Sequence, residues 1–234
     1  MMTKVRDFAL PGAILVLATI AIAVTGADQY VSALFCIDGK WPIGDLQPWR
    51  LLYRMDRIPA LIMAIVGLTA ALTGVAYRQR RSWIRPGLFL VILLALGPGL
   101  IVNTILKEYW GRPRPREIVQ FGGNKVYLQP WQKGVAHMGR SFPSGHASAA
   151  FYLTAPFFIY RRRNPRSAAL LLIGGLGFGL AMSLARIAQG GHFLSDCLWA
   201  WGVVHLVAMT LYYLLRLEQN EAPSAVAQSD PCSF

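Results

Sequence analysis

Residues 86–106, PGLFLVILLALGPGLIVNTIL, decide how this chain is read. These 21 residues carry no charged side chain, and roughly 20 apolar residues in a helix cross the hydrocarbon core of a bilayer. Working outward, similar runs lie at 8–26, 58–77, 144–160, 167–185 and 193–215. The expectation is an all-α, polytopic membrane protein with six transmembrane helices. The fourth segment is the weakest, because Ser144, His146 and Ser148 are polar and Pro156 interrupts it. Composition agrees: 55% of the residues are hydrophobic and 15% charged, where a soluble domain carries about a quarter charged.

The formal charge of +12 does not point to nucleic acid, because a nucleic-acid-binding surface of that kind needs a soluble domain to carry it. Cys36, Cys197 and Cys232 are widely spaced, with no CxxC pair, so neither a zinc site nor a disulfide framework is expected. No internal repeat or second domain is visible. Residues 1–217 form one membrane domain. Residues 218–234, polar and rich in Ala, Ser and Pro, have the composition of a disordered cytoplasmic tail. The N-terminus has a basic start, an apolar run and Ala21-Ile22-Ala23, like a signal peptide. It is expected to be retained as the first span, and its removal would not change the orientation of the rest.

Basic residues set that orientation. Lys4 and Arg6, Arg78 to Arg85, Arg161 to Arg166, and Arg216 all fall on one side of a six-span chain. The positive-inside rule makes that side the cytoplasm, and the expected location is the bacterial inner membrane. On the other side, the 27–57 loop balances Lys40, Arg50, Arg54 and Arg57 with Asp28, Asp38, Asp45 and Asp56. The 107–143 loop defies the trend with seven basic residues.

Three polar clusters reach that same face: 107–115, KEYWGRPRP; 141–146, SFPSGH; and 186–196, RIAQGGHFLSD. Lys107, Arg114 and Arg186 are suited to phosphate, and a guanidinium grips its oxygens in bidentate fashion. Ser144 and Gly145 lie where the fourth helix begins, and free amides with the helix dipole favour an anion there. His192 and Asp196 are four apart and share a helical face. A carboxylate on one imidazole nitrogen fixes the tautomer and leaves the other as nucleophile or base. His146 is placed to protonate a departing oxygen. No carboxylate cluster able to hold Mg²⁺ is present, so the cationic side chains carry the neutralising role, and no metal or other cofactor is expected.

The pattern Lys-x6-Arg-Pro (Lys107 to Pro115), Pro-Ser-Gly-His (Pro143 to His146) and Arg-x5-His-x3-Asp (Arg186 to Asp196) resembles the type-2 phosphatidic acid phosphatase (PAP2) superfamily, which also includes vanadium haloperoxidases. The resemblance implies that His192 is the nucleophile, Asp196 its partner and His146 the general acid. It assigns phosphate binding to Lys107, Arg114, Ser144, Gly145 and Arg186. One departure is Ala185-Arg186, where the superfamily has Ser-Arg; Ser183 is two positions away and does not share the face. Within the superfamily, the basic loop with its Phe-Gly-Gly and the run SFPSGHAS are most similar to bacterial lipid A phosphatases.

The expected activity is therefore a metal-independent lipid phosphatase working through phosphohistidine at the periplasmic face. Its substrate is a phospholipid, lipid A or a polyprenyl pyrophosphate, with the bilayer its only obligate partner. Phosphatidylglycerol phosphate and phosphatidic acid stay open as substrates. A phosphotransferase using the same intermediate is the near alternative, and a non-catalytic flippase the distant one. Arg112, Arg116, Lys125, Lys133 and Arg140 are read as steering an anionic headgroup, against a plain solvated surface. Trp110, Phe121, Tyr127 and Trp131 are read as interfacial anchors. His137 is read as a loop residue and His205 as an interhelical contact. Gly122-Gly123 allows a tight turn or a lid.

Overall fold

The computed structural model describes residues 2–219 and contains no strand among them. Most of the chain is helix: α1 (Met2–Thr25), α2 (Ala27–Ala33), α3 (Trp49–Arg54), α4 (Ile58–Ala76), α5 (Ile84–Leu94), α6 (Lys107–Tyr109), α7 (Gly145–Phe151), α8 (Ala155–Tyr160), α9 (Pro165–Ala188) and α10 (Leu194–Leu214). A π-helical stretch, Ala95–Leu106, joins α5 to α6. Pro98 within it has no amide to donate and so interrupts the regular ladder. Side chains follow the wider spacing: Asn103 donates to the Pro98 carbonyl (2.7 Å) and Thr104 to that of Gly99 (3.2 Å).

Five helices are long and apolar enough to cross a membrane: Lys4–Thr25, Trp49–Ala76, Arg78–Tyr109, Pro165–Ala188 and Leu194–Leu214. The surface explains why lipid suits them. Val24, Val75, Leu170 and Leu214 are each more than 70% exposed, which no aqueous surface would favour over such a length.

The expected fourth span is broken. It consists of α7, a 3-10 turn at Tyr152–Thr154, and α8. It is also the most enclosed element, with Ala147, Ala150, Tyr152, Ala155 and Phe158 all at 0% exposure. Neighbouring helices, not lipid, surround it, which relieves it of the need to be long or uniformly apolar. The Tyr152 hydroxyl satisfies itself inside this core on the Leu90 carbonyl (2.9 Å).

Small residues let the helices close in, as they must where apolar burial gives no drive between helices in lipid. A Cβ on Gly87 of α5 would collide with the Gly67 backbone of α4.

The two ends of the bundle differ in chemistry. At one end Arg161 donates to Asp7 (2.8 Å), Tyr213 does likewise (2.6 Å), and Lys4 meets Glu218 at 3.9 Å. The start of α1, the α8–α9 loop and the end of α10 therefore lie together. That agrees with the shared side inferred from their basic residues. At the other end lie all three polar clusters. Glu218 and Gln219 belong to a short 3-10 turn; the rest of the expected tail lies outside the described residues.

Candidate active site

The 107–143 loop is a folded cap, ordered by 3-10 turns at Pro115–Glu117 and Val119–Phe121. Gly122, at φ +87°, closes the second turn by donating to the Val119 carbonyl (3.2 Å). This region of backbone suits glycine, so Gly122-Gly123 is a tight turn here.

Arg112 departs most from the sequence reading. It is not a solvated steering residue: its side chain is 0% exposed. Nη1 donates to Asp196 Oδ1 (2.5 Å) and Ser195 Oγ (2.8 Å), and Nη2 to Asp28 Oδ2 (2.8 Å). Nε donates to the Leu128 carbonyl (2.8 Å), and the guanidinium lies over the Phe193 ring at 4.6 Å. Burial alone would lower its pKa, but Asp196 and Asp28 outweigh that and hold it above the ordinary value. Asp28 is thus no loop counter-charge. It also accepts the Ser195 amide (2.8 Å) and hydroxyl (2.5 Å), tying α2 to the first turn of α10.

Asp196, also 0% exposed, spends its second oxygen on the Ser141 hydroxyl (2.5 Å) and the Phe193 amide (2.8 Å). His192 is 1% exposed. Its Nδ1 lies 2.7 Å from the Ser141 carbonyl and 3.7 Å from Asp196 Oδ2. The hydrogen-bond partner is thus the backbone carbonyl, and the carboxylate stands behind it. A carbonyl can only accept, so Nδ1 carries the hydrogen and Nε2 keeps its lone pair. Burial, then the Arg186 and Lys107 charges, pushes the imidazole pKa down to about 4 against the opposing pull of Asp196. The ring is therefore neutral near pH 7.

Ser144 caps α7, its Oγ accepting from the Ala147 amide (3.3 Å), and its own amide donates to the Asp196 carbonyl (3.1 Å). The hydroxyl hydrogen remains to donate. Gly145 faces Lys107 closely: a Cβ there would stand 3.0 Å from Lys107 Nζ and closer still to Asn103 Oδ1. Two of the clusters meet at this point, and only glycine fits. His146 Nε2 is 3.3 Å from Asp56 Oδ2, and its ring stacks on Tyr53 with centroids 5.0 Å apart. Neither partner was anticipated, since both fall in a segment that reads as loop.

Arg186, 6% exposed, lies over Tyr53 at 4.8 Å and donates through Nη1 to Gln189, which donates to the Gly44 carbonyl (3.2 Å). The Nε atoms of Arg186 and Arg114 are buried without an acceptor, which is costly unless something supplies one. Burial and the neighbouring Arg116 lower the Arg114 pKa.

Arg114, His146 and Arg186 line a cleft of about 660 Å³. His146 also borders a second cavity of about 220 Å³, which Lys107 and Gly145 line together with Ala60, Leu61 and Leu94. The structure therefore gathers Lys107, Arg114, Ser144, Gly145, His146, Arg186, His192 and Asp196 at one end of the bundle. Ser183 takes no part; its hydroxyl donates to the Gly179 carbonyl (2.7 Å). Among the described residues no group of three His, Cys, Asp or Glu side chains could hold a metal ion.

The chain belongs to a family of membrane phosphatases. Residues 87–219, more than half of the chain, match the PAP2 superfamily, and the chain is a member of it. The chain is 35% identical over 130 residues to a lipid A 4'-phosphatase of Francisella tularensis subsp. novicida, covering 54% of this chain and 57% of that protein. It is 29% identical to a lipid A 4'-phosphatase of Rhizobium etli, over 87% of this chain and 85% of the relative. A crystal structure of a transmembrane PAP2-type phosphatidylglycerolphosphate phosphatase from Bacillus subtilis is similar in fold. It aligns with a TM-score of 0.55 at 19% identity, over 96% of this chain and all of that one.

Proposed function

We propose that this protein is an integral-membrane lipid phosphatase that removes a phosphate monoester from a lipid A-type glycolipid through a phosphohistidine on His192. One observation carries the mechanism. The Nδ1–H of His192 is held on the Ser141 carbonyl (2.7 Å), so a neutral, buried imidazole keeps the Nε2 lone pair for attack, with the Lys107 and Arg186 charges near enough to act on the ring. The lipid A reading is supported by the relatives, which are lipid A 4'-phosphatases. A phosphatidylglycerol phosphate or polyprenyl pyrophosphate substrate is the alternative.

The geometry supports the following steps. Lys107, Arg114 and Arg186 hold the phosphate oxygens, with the Ser144 hydroxyl and the first-turn amides at Gly145 as further donors. Nε2 of His192 attacks phosphorus as the P–O bond to the lipid breaks, and His146 gives the departing oxygen its proton. Water then cleaves the P–N bond, with His146 taking the water proton back. The Ser141 carbonyl and Asp196 stabilise the cationic imidazole between these steps. Asp56, 3.3 Å from His146 Nε2, orients that ring. The six-span topology follows if the enclosed α7–α8 segment counts as a crossing. The basic segments then support a site on the periplasmic side of the inner membrane.

The deciding experiment is phosphate release by purified protein from lipid A, undecaprenyl pyrophosphate, phosphatidylglycerol phosphate and phosphatidic acid, each alone in detergent. Lipid A should be cleaved fastest. Preference for another lipid overturns the substrate, and release only with an added acceptor lipid indicates phosphotransfer. Release should survive EDTA; a strict Mg²⁺ requirement sinks the metal-free scheme.

A further inference from the structure

The cleft beside His146 holds more positive charge than one phosphate needs. A phosphate monoester carries about two negative charges, and Lys107, Arg114 and Arg186 already answer it. Yet Lys40, Arg50, Arg54 and Arg116 line the cleft together with Arg114 and Arg186, with Asp45 the only carboxylate among its lining residues. At about 660 Å³ the cleft suits a ligand far larger than phosphate, since pockets of about 300–1,000 Å³ hold drug-sized molecules.

Three other cations of this end have partners. Arg112 meets Asp28 and Asp196, Lys125 meets Glu117 at 3.1 Å, and Arg140 meets Glu108. The four facing the cleft are in no ion pair among the described residues. They are also positioned, not scattered. Arg50 and Arg54 are four apart on α3 and share its face. Arg116 is fixed by its amide on the Gly190 carbonyl (3.2 Å). Trp41 lines the same cleft, so an aromatic face stands beside the four cations.

We infer that Lys40, Arg50, Arg54 and Arg116 form a second anion subsite, which takes a phosphate of the headgroup other than the one removed. The substrate class is then a doubly phosphorylated glycolipid. This rests on the glycolipid phosphatase reading above and sharpens it, because these residues would select between substrates that the phosphohistidine chemistry treats alike.

The test compares doubly and singly phosphorylated disaccharide lipids with identical acyl chains, in uncharged detergent micelles, by phosphate release from the full chain. The wild type should favour the doubly phosphorylated lipid by about tenfold or more in kcat/KM, mainly through KM, as charge-assisted contacts would give. The R50Q/R54Q double variant should reduce that preference by about tenfold, and R116Q should reduce it in the same direction. Equal losses on both substrates mean general electrostatic steering and overturn the subsite, as does a wild type with no preference. A preference that appears only in anionic vesicles assigns the cations to neighbouring lipid headgroups instead. If neither glycolipid yields phosphate while phosphatidylglycerol phosphate does, the glycolipid reading itself fails and takes the subsite with it.

Discussion

Replacing Arg112 with methionine removes one cation that serves two buried carboxylates. Arg112, Asp28 and Asp196 are at most 1% exposed, so no water replaces what is lost. Breaking a buried pair from one side costs about 3–5 kcal/mol, because an uncompensated charge stays behind. Two charges would be stranded here, but both carboxylates keep donors: Asp196 retains Ser141 and the Phe193 amide, and Asp28 retains Ser195 and Tyr127. We therefore expect a loss of about 4 kcal/mol. At about 2–4 °C per kcal/mol for a chain of this size, unfolding should come roughly 10 °C earlier. Tryptophan fluorescence during heating in detergent reads this directly. Phosphate release should fall as well, because Asp196 anchors Ser141, whose carbonyl holds His192. Adding D28N to R112M should recover part of the stability, since only one charge then stays stranded. Lysine should not rescue, because a single ammonium cannot fork between two acceptors. If R112M unfolds within about 3 °C of wild type with full activity, the buried network does not hold the site together.

H192A should reduce phosphate release to background while leaving the unfolding temperature near wild type; substantial residual turnover would remove His192 as nucleophile. The imidazole ¹⁵N signal lost in H192A should titrate near pH 4, and an apparent pKa at or above 6.5 would refute the buried, cation-flanked environment. Because the unfolded chain takes up that proton at higher pH than the folded one, His192 should also subtract stability as pH falls from about 6.5 towards 4. D56N should loosen the His146 ring held at 3.3 Å, lowering kcat more than it raises KM; a change in KM alone would make Asp56 a substrate contact. G145A should lower activity about tenfold or more, because its Cβ meets Asn103 and Lys107 and such overpacking costs about 1–3 kcal/mol.

Much of the site was legible because its chemistry is written in short spacings. Lys107 with Arg114, Ser144 to His146, and His192 with Asp196 each sit within eight residues of one another, and topology alone sends all three clusters to one face. What escaped was whatever depends on partners far along the chain. Arg112 reads as one more cation in a basic loop, yet its carboxylates lie 84 residues away on either side. Asp56 and Tyr53 read as loop, because α3 continues the apolar run of α4 without a periodicity of its own. The acceptor for His192 could not be foreseen either. The i, i+4 spacing points to Asp196, whereas the nearer oxygen belongs to a backbone carbonyl 51 residues earlier.

The broken, enclosed α7–α8 segment bears on how this protein enters its membrane. Residues 145–160 form a helix with a 3-10 turn at Tyr152–Thr154, and the first turn carries His146 and Ser148 next to the Ser144 cap. Ser148 and Thr154 bond within the segment, but His146 and Tyr152 find their partners, Asp56 and the Leu90 carbonyl, outside it, so the segment gains little by partitioning into lipid alone. Its enclosure is therefore collective: α7 and α8 pack on α9, and α7 also on α10, so the end that carries the candidate site is complete only when those last two helices are in place.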